Sequence, residues 1–172
     1  MNLNKLISGI DDAKIIGGKK SIDVKNLTIN SAEVEHGSLF ICLEGTKSDG
    51  HDYAYEAINN GAVALVVSHP LNVDVPQIVV KSPRDVMPNL AANFYEHPEE
   101  KLKLIGITGT NGKTTTTYII KKILELAGYK VGLIGTSANY IGPIMLPPKL
   151  TTPDPERANP VPRFWSLHRE PS

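Results

Sequence analysis

The stretch Gly106-Ile107-Thr108-Gly109-Thr110-Asn111-Gly112-Lys113-Thr114-Thr115-Thr116-Thr117 holds the residue types that grip a polyphosphate. Glycines let backbone N–H groups turn inward and approach phosphate oxygens with no Cβ in the way. A helix starting at the lysine adds its unpaired N-terminal N–H groups and the positive end of its dipole. Lys113 supplies a point charge for β- and γ-phosphates, and the Thr114 hydroxyl can ligate a Mg²⁺ carried by the nucleotide. Strict Walker spacing puts a glycine five positions before Gly112. That position is Ile107, and glycines stand at 106 and 109 instead, so the loop is a variant. Thr115 is expected to touch phosphate, and Thr116 and Thr117 to satisfy backbone donors at the helix start.

Such a loop needs a strand before it and a helix after it. Residues 102–108 read as the strand. Ile119, Ile120, Ile123, Leu124 and Ala127 give a helix from about Lys113 to Ala127, ended by Gly128. Residues 130–135 read as the next strand, which makes a right-handed β-α-β unit with parallel strands. Upstream, Leu3, Leu6, Ile7 and Ile10 suit a short helix, and Gly17-Gly18 break the chain. Residues 22–24 and 27–29 suggest extended segments. Strands are expected at 39–43, at 62–67 (a continuous apolar run buried on both faces) and at 77–80. A helix spans about 51–60 and ends at Asn60-Gly61. Ser82-Pro83 starts another, which Pro88 should bend or delay and His97-Pro98 ends. Residues 1–97 thus form one α/β unit, with a boundary at Pro98-Glu99-Glu100.

Composition excludes several classes. Formal net charge is zero, which leaves no electrostatic case for nucleic acid or an anionic membrane. No apolar run approaches a membrane span, and the N-terminus lacks a secretory core. The single cysteine, Cys42, sits in an apolar strand and reads as inert core. A cytoplasmic location is the simplest reading. His36, His69, His97 and His168 lack metal-ligand spacing. His51 could contact a pyrophosphate, but a structural role at its helix start is favoured. No Ser-His or Cys-His arrangement is visible. Beyond residue 135 regular patterning fades: 144–148 reads as a loop or short extended piece. The stretch from 157, with Phe164 and Trp165, has neither helix nor strand period. One β-α-β unit does not complete a parallel-sheet domain. The chain is therefore expected to be truncated or frame-shifted near residue 156, and poorly soluble unless a partner covers its apolar faces.

Three stretches together resemble the Mur ligases. Gly37 to Gly45, with Asp49-Gly50-His51 and Ala57 to Ala64, is similar to the family's small uridine-binding N-terminal domain. Gly106 to Thr117 matches the family's ATP loop, including its departure from Walker spacing. Folylpolyglutamate and cyanophycin synthetases share that loop. Gly132 to Thr136, followed by Leu150-Thr151-Thr152-Pro153-Asp154, is similar to its second strand and Thr-Thr-Pro substrate motif. The Asp-Gly-His and Thr-Thr-Pro segments point to the branch that adds the third residue of the peptidoglycan stem peptide.

The resemblance implies an α/β fold: an N-terminal domain over 1–97, part of a central ATP-binding domain over 98–156, and an unrelated tail over 157–172. It implies that Gly109, Thr110, Asn111, Gly112, Lys113, Thr114 and Thr115 bind ATP, with Lys113 catalytic and Thr114 on Mg²⁺. Ile29, Ser31, Thr46, Lys47, Ser48, Thr151 and Thr152 would contact a UDP-N-acetylmuramoyl-dipeptide. The family usually shows Asp-Ser-Arg where this chain has Asn30-Ser31-Ala32. Its Mg²⁺-binding glutamate, carbamylated lysine, later nucleotide contacts and C-terminal amino-acid-binding domain have no counterpart here. The implied reaction is ATP-driven amide formation through an acyl phosphate, using small-molecule substrates and no obligate protein partner. By these gaps the chain alone is expected to be inactive. The alternatives are a standalone non-catalytic nucleotide-binding module, another member of the Mur ligase and folylpolyglutamate synthetase superfamily and, weakest of the three, a generic P-loop ATPase.

Overall fold

The computed structural model describes residues 1–18, 22–45 and 48–146. The chain divides into two compact units, Met1–Glu96 and His97–Ser172.

Valine, isoleucine and leucine runs without charge build the centre of the first unit. Its five-stranded sheet comprises β1 (Lys14–Ile16), β2 (Asn26–Thr28), β3 (Ser38–Ile41), β4 (Ala62–Val67) and β5 (Gln77–Val79), in the order β1-β5-β4-β3-β2. Strands β2 to β5 are parallel to their neighbours, and β1 closes one edge antiparallel to β5. Side chains alternate across the pleat, so each central strand feeds two cores. Leu39, Ile41, Ala64, Val66 and Ile78 pack with Leu3 and Leu6 of α1 (Leu3–Leu6) and Val86, Met87 and Leu90 of α3 (Pro83–Phe94). Phe40, Cys42, Leu65 and Val67 pack with Ala54 and Ala57 of α2 (Ala54–Asn59). The sheet is a middle layer, and its strands read as apolar runs because both faces are dry.

Local signals set the helix ends. The Ser82 hydroxyl accepts from the Asp85 N–H at 3.3 Å, and Pro83 occupies the first helical position. Helix α3 therefore starts at Pro83 and runs through Pro88 to Phe94; Pro88 does not delay it. The N-terminal helix is shorter than its spacing predicts, one turn closed by Asn2, yet Ile10 still reaches the core. The sequence reading missed β1, whose three residues leave too little pattern to detect. The Cys42 thiol is buried and pushed up to about 12, first by burial and then by the charge of Asp49, as an inert core residue should be.

The second unit departs from the expected β-α-β pattern. Helix α4 (Lys113–Leu126) forms, but residues 103–109 pair with no strand among the described residues. The following strand, β6 (Gly132–Leu133), pairs antiparallel with β7 (Asn139–Ile141), which pairs antiparallel with β8 (Ile144–Leu146). A parallel β-α-β pairing is thus not observed here. Hairpin partners close shorter loops than a crossover does, so the local pairing is entropically favoured. The β7–β8 turn is Gly142-Pro143, with Gly142 at φ +55 as the first central residue of a tight hairpin requires. Tyr140 of β7 meets Tyr118 of α4 edge to face at 5.7 Å, and Lys121 lies 4.9 Å over the Tyr140 ring. The opposite face of α4 stays open: Ile123 is 59% and Leu126 76% exposed. Leu104 is likewise 74% and Ile105 59% exposed.

Leu90 is fully buried at the contact of α3 with the sheet. Leu90→Ala is expected to destabilise the first unit by roughly 2–5 kcal/mol, read from its urea midpoint.

Candidate functional site

The phosphate loop is built on backbone conformations that only glycine adopts easily. Gly112 lies at φ +76 and Gly109 at φ +152. A Cβ at Gly112 would meet nothing within 4 Å, so the constraint there is torsional rather than steric. Gly112 is also the N-cap of α4 and has no side chain with which to cap it. The backbone ladder of the helix begins with the Thr116 N–H on the Gly112 carbonyl at 2.9 Å. The N–H groups of Lys113, Thr114 and Thr115 precede that bond and have no acceptor one turn back. They converge with the dipole end on the space before the helix, which is the requirement for holding an anion.

Lys113 folds back over the same loop. Its Nζ donates to the Gly109 carbonyl at 2.7 Å and to the Thr110 carbonyl at 3.4 Å. The ammonium thus sits with the loop glycines and the helix start, and it closes the turn around them. Thr110, Asn111, Thr114 and Thr115 are all exposed beside this point. Thr117 is structural: its hydroxyl donates to the Thr114 carbonyl at 2.7 Å. Among the described residues no group of three His, Cys, Asp or Glu could hold a metal ion. The Thr114 hydroxyl in the open first turn suits a Mg²⁺ held mainly by nucleotide phosphates.

The second candidate site lies on the carboxyl edge of the first unit's sheet, where ligands bind in open parallel sheets. Ile29 and Ser31 follow β2, and Ser48 lies in the connection that follows β3, so neighbouring parallel strands deliver them to one edge. Ile29 is half-buried against the core and Ser31 opens a single 3₁₀ turn. The Asn30 side chain caps that turn by accepting from the Ala32 N–H at 3.1 Å, and Asn60 donates to the Ser31 carbonyl at 3.0 Å. Ser48 is exposed, its carbonyl accepting from the Gly45 N–H at 3.0 Å. Thr46, Lys47, Thr151, Thr152, His168 and the tail with Phe164 and Trp165 lie outside the described residues.

One arrangement at this edge corrects the sequence reading, which saw no Ser-His pairing. The His51 ring meets Asp49 Oδ1 through Nδ1 at 2.6 Å, and Ser68 Oγ lies 3.3 Å from His51 Nε2. The three residues stand in the order of a hydrolytic triad, but the hydrogen bonds deny that role. The Ser68 backbone N–H donates to His51 Nε2 at 3.0 Å and takes its lone pair, and Ser68 Oγ donates to Glu44 Oε1 at 3.1 Å. The ring is buried and stacked on His69 at 4.5 Å. With Nε2 accepting, the ring proton is on Nδ1 and donates to Asp49. His51 is therefore structural, the role the sequence favoured. Seventeen residues separate it from Ser68, so no local motif could reveal the contact.

The fold is α/β, and the loop before α4 carries the glycine and lysine pattern of a variant phosphate loop. Residues 23–95 match the model described as "Mur ligase family, catalytic domain", and residues 107–159 match "Mur ligase middle domain". The chain belongs to the Mur ligase family. It is 46% identical over 156 residues to a UDP-N-acetylmuramoyl-L-alanyl-D-glutamate–2,6-diaminopimelate ligase of Clostridium acetobutylicum, covering 90% of this chain and 32% of that one. It is 49% identical over 132 residues to the enzyme of that name from Geobacillus thermodenitrificans, covering 77% and 27%. A solved structure of a ligase of that name is similar at TM-score 0.67 and 25% identity, over 84% of this chain and 30% of that one. The MurF ligase of Thermotoga maritima in complex with ADP is similar at TM-score 0.54 and 28% identity, over 82% and 29%. The chain spans about a third of the length of these relatives.

Asp49 is held below the ordinary carboxylate range because it accepts the backbone N–H and then the ring N–H of His51. A depressed folded value gives stability that is full above the unfolded value, about 3.9, and is lost as pH falls through the folded one. The stability difference between the unaltered chain and Asp49→Asn is expected to be largest at neutral pH and to shrink below that value, read from urea midpoints.

Proposed function

We propose that this chain supplies the uridine-nucleotide and ATP sites of a ligase that joins an amino acid to UDP-N-acetylmuramoyl-L-alanyl-D-glutamate. The relatives above are named for 2,6-diaminopimelate, and we take that amino acid as the second substrate. The observation that carries the reading is the loop of α4. Gly109 and Gly112 stand at positive φ just before the helix, the helix starts at Lys113, and the Lys113 ammonium folds back onto the Gly109 carbonyl at 2.7 Å. The Thermotoga relative of the same fold was solved with ADP.

On this reading the work of the loop is positioning and charge neutralisation. The D-glutamyl carboxylate oxygen forms a bond to the γ-phosphorus as the bond to the β,γ-bridging oxygen breaks, and ADP leaves. The amine of the incoming amino acid then attacks the acyl carbon, a proton is lost from nitrogen, and phosphate leaves with the C–O bonding pair. Lys113 and the helix N–H groups offset negative charge on the transferring phosphoryl group. Mg²⁺ bound with the nucleotide would neutralise further phosphate charge, with Thr114 as its protein ligand. None of these steps needs a protein nucleophile, in keeping with the occupied lone pair of His51. Ser31 and Ser48, with Ile29 beneath, offer the carboxyl edge of the first sheet to the uridine nucleotide, and Thr46 and Lys47 belong to the same connection. Thr151 and Thr152 are assigned to the muramoyl-dipeptide. Residues 1–97 and 98–156 are the corresponding domains, and the assembled enzyme is cytoplasmic. Among the described residues no helix is long and apolar enough to cross a membrane.

Lys113→Ala removes both the charge and the bonds that close the loop. It is expected to weaken Mg·ATP binding at least tenfold, about 1.4 kcal/mol, by calorimetry on the whole chain. Unchanged affinity would contradict the assignment.

A further inference from the structure

Glu44 and Gly45, which follow β3, and Ser48 and Asp49, which precede Gly50, are pinned to one another more heavily than exposed residues require. Glu44 and Asp49 form an antiparallel bridge. The Gly50 N–H donates to the Leu43 carbonyl at 2.9 Å, and the Gly45 N–H to the Ser48 carbonyl at 3.0 Å. A Cβ on Gly50 would fall 2.5 Å from the Leu43 nitrogen, so only glycine permits that closure. The polar residues then tie both pairs to β4. His51 grips Asp49 through Nδ1 and the Ser68 backbone through Nε2, while Ser68 Oγ holds Glu44. One buried imidazole thus spans from Asp49 to the first residue after β4, and the serine it meets there holds Glu44.

We propose that His51 is a positioning residue for the uridine-nucleotide substrate: through Asp49 it fixes Ser48 at the carboxyl edge without touching the ligand. This rests on the substrate reading above. Both of its ring nitrogens are used within the protein, which leaves neither for a ligand. A neutral ring with its proton on Nδ1 is the one common side chain that donates to a carboxylate on one side and accepts a backbone N–H on the other at this span. Holding Ser48 and Asp49 in place beforehand lowers the ordering cost of binding, so loss of the clamp should appear as lost affinity.

The test is calorimetric titration of the whole chain with UDP-N-acetylmuramoyl-L-alanyl-D-glutamate, well below the melting temperature of each variant. His51→Asn and Asp49→Ala each break the clamp, and both are expected to raise Kd at least tenfold. Asp49→Asn keeps the Oδ1 acceptor and should stay within threefold of the unaltered chain. Val86→Ala, in the core on the sheet's other face, should lower the melting temperature and leave Kd unchanged. Mg·ATP affinity should not move in any of them. Unchanged Kd in folded His51→Asn or Asp49→Ala overturns the proposal. So does an equal Kd loss in Val86→Ala, which would make the effect one of general stability. Should both clamp variants fail to fold, the milder His51→Gln is titrated in their place: a raised Kd in the folded variant supports the proposal, and an unchanged Kd overturns it. No binding by the unaltered chain overturns the substrate reading and this proposal with it, an outcome distinct from equal binding by chain and variant.

Discussion

Parallel pairing of β2, β3, β4 and β5 forces every connection leaving their carboxyl ends onto one edge of the sheet. The rest of the first unit follows from that constraint. Each return crossing needs a covering element, so α2 lies over one face and α3 with α1 over the other. Both faces are then dry, which is why β4 can be Ala-Val-Ala-Leu-Val-Val with no polar residue. Several polar side chains gather near those ends: Asp49 and Ser68 meet His51, Ser68 meets Glu44, and Ser31 follows β2. A site there is rigid beneath and adjustable above, because the strand ends are fixed by the core and the connections by a few hydrogen bonds.

The second unit uses a different device. The anion site proposed there would rest on backbone geometry at the start of α4, with Lys113 as its charged side chain. That device is local: it needs two glycines in unusual torsions and a helix long enough to carry a dipole, and α4 has fourteen residues. It does not need the residues before the loop to be paired, and 103–109 are in no helix or strand and largely exposed. The apolar outer face of α4 is likewise uncovered, so this helix is held by its Tyr118 and Lys121 contacts with β7 rather than by a deep core.

Local chemistry was legible and partnership was not. Ser82-Pro83 announced the start of α3, Asn60-Gly61 the end of α2, and Gly112-Lys113 the start of α4. Each signal acts within four residues, as does the phosphate loop itself. The six-residue apolar run gave β4. Residues 102–108 carry strand residues, but a strand exists only beside another, and pairing is not written in the segment. A loop or short extended piece was expected at 144–148, and Ile144–Leu146 is the strand β8; β7 was not foreseen, because its pairing depends on the two-residue turn at Gly142-Pro143, where Gly142 takes a positive φ. The Asp49–His51–Ser68 clamp joins a loop to the end of β4, and only the fold brings those together. The departure at Asn30-Ser31-Ala32 was visible in sequence, and in the structure Asn30 acts as a cap for its own turn.

The central claim is that one helix start grips the nucleotide phosphates. Amide chemical shifts of the isotope-labelled chain, followed as Mg·ADP is added, test it most directly. The account predicts saturable shifts centred on Gly109, Gly112, Lys113, Thr114 and Thr115, with the amides of Met1–Glu96 unmoved. Shifts absent from that loop at saturating nucleotide, or centred instead on the first unit, would contradict it.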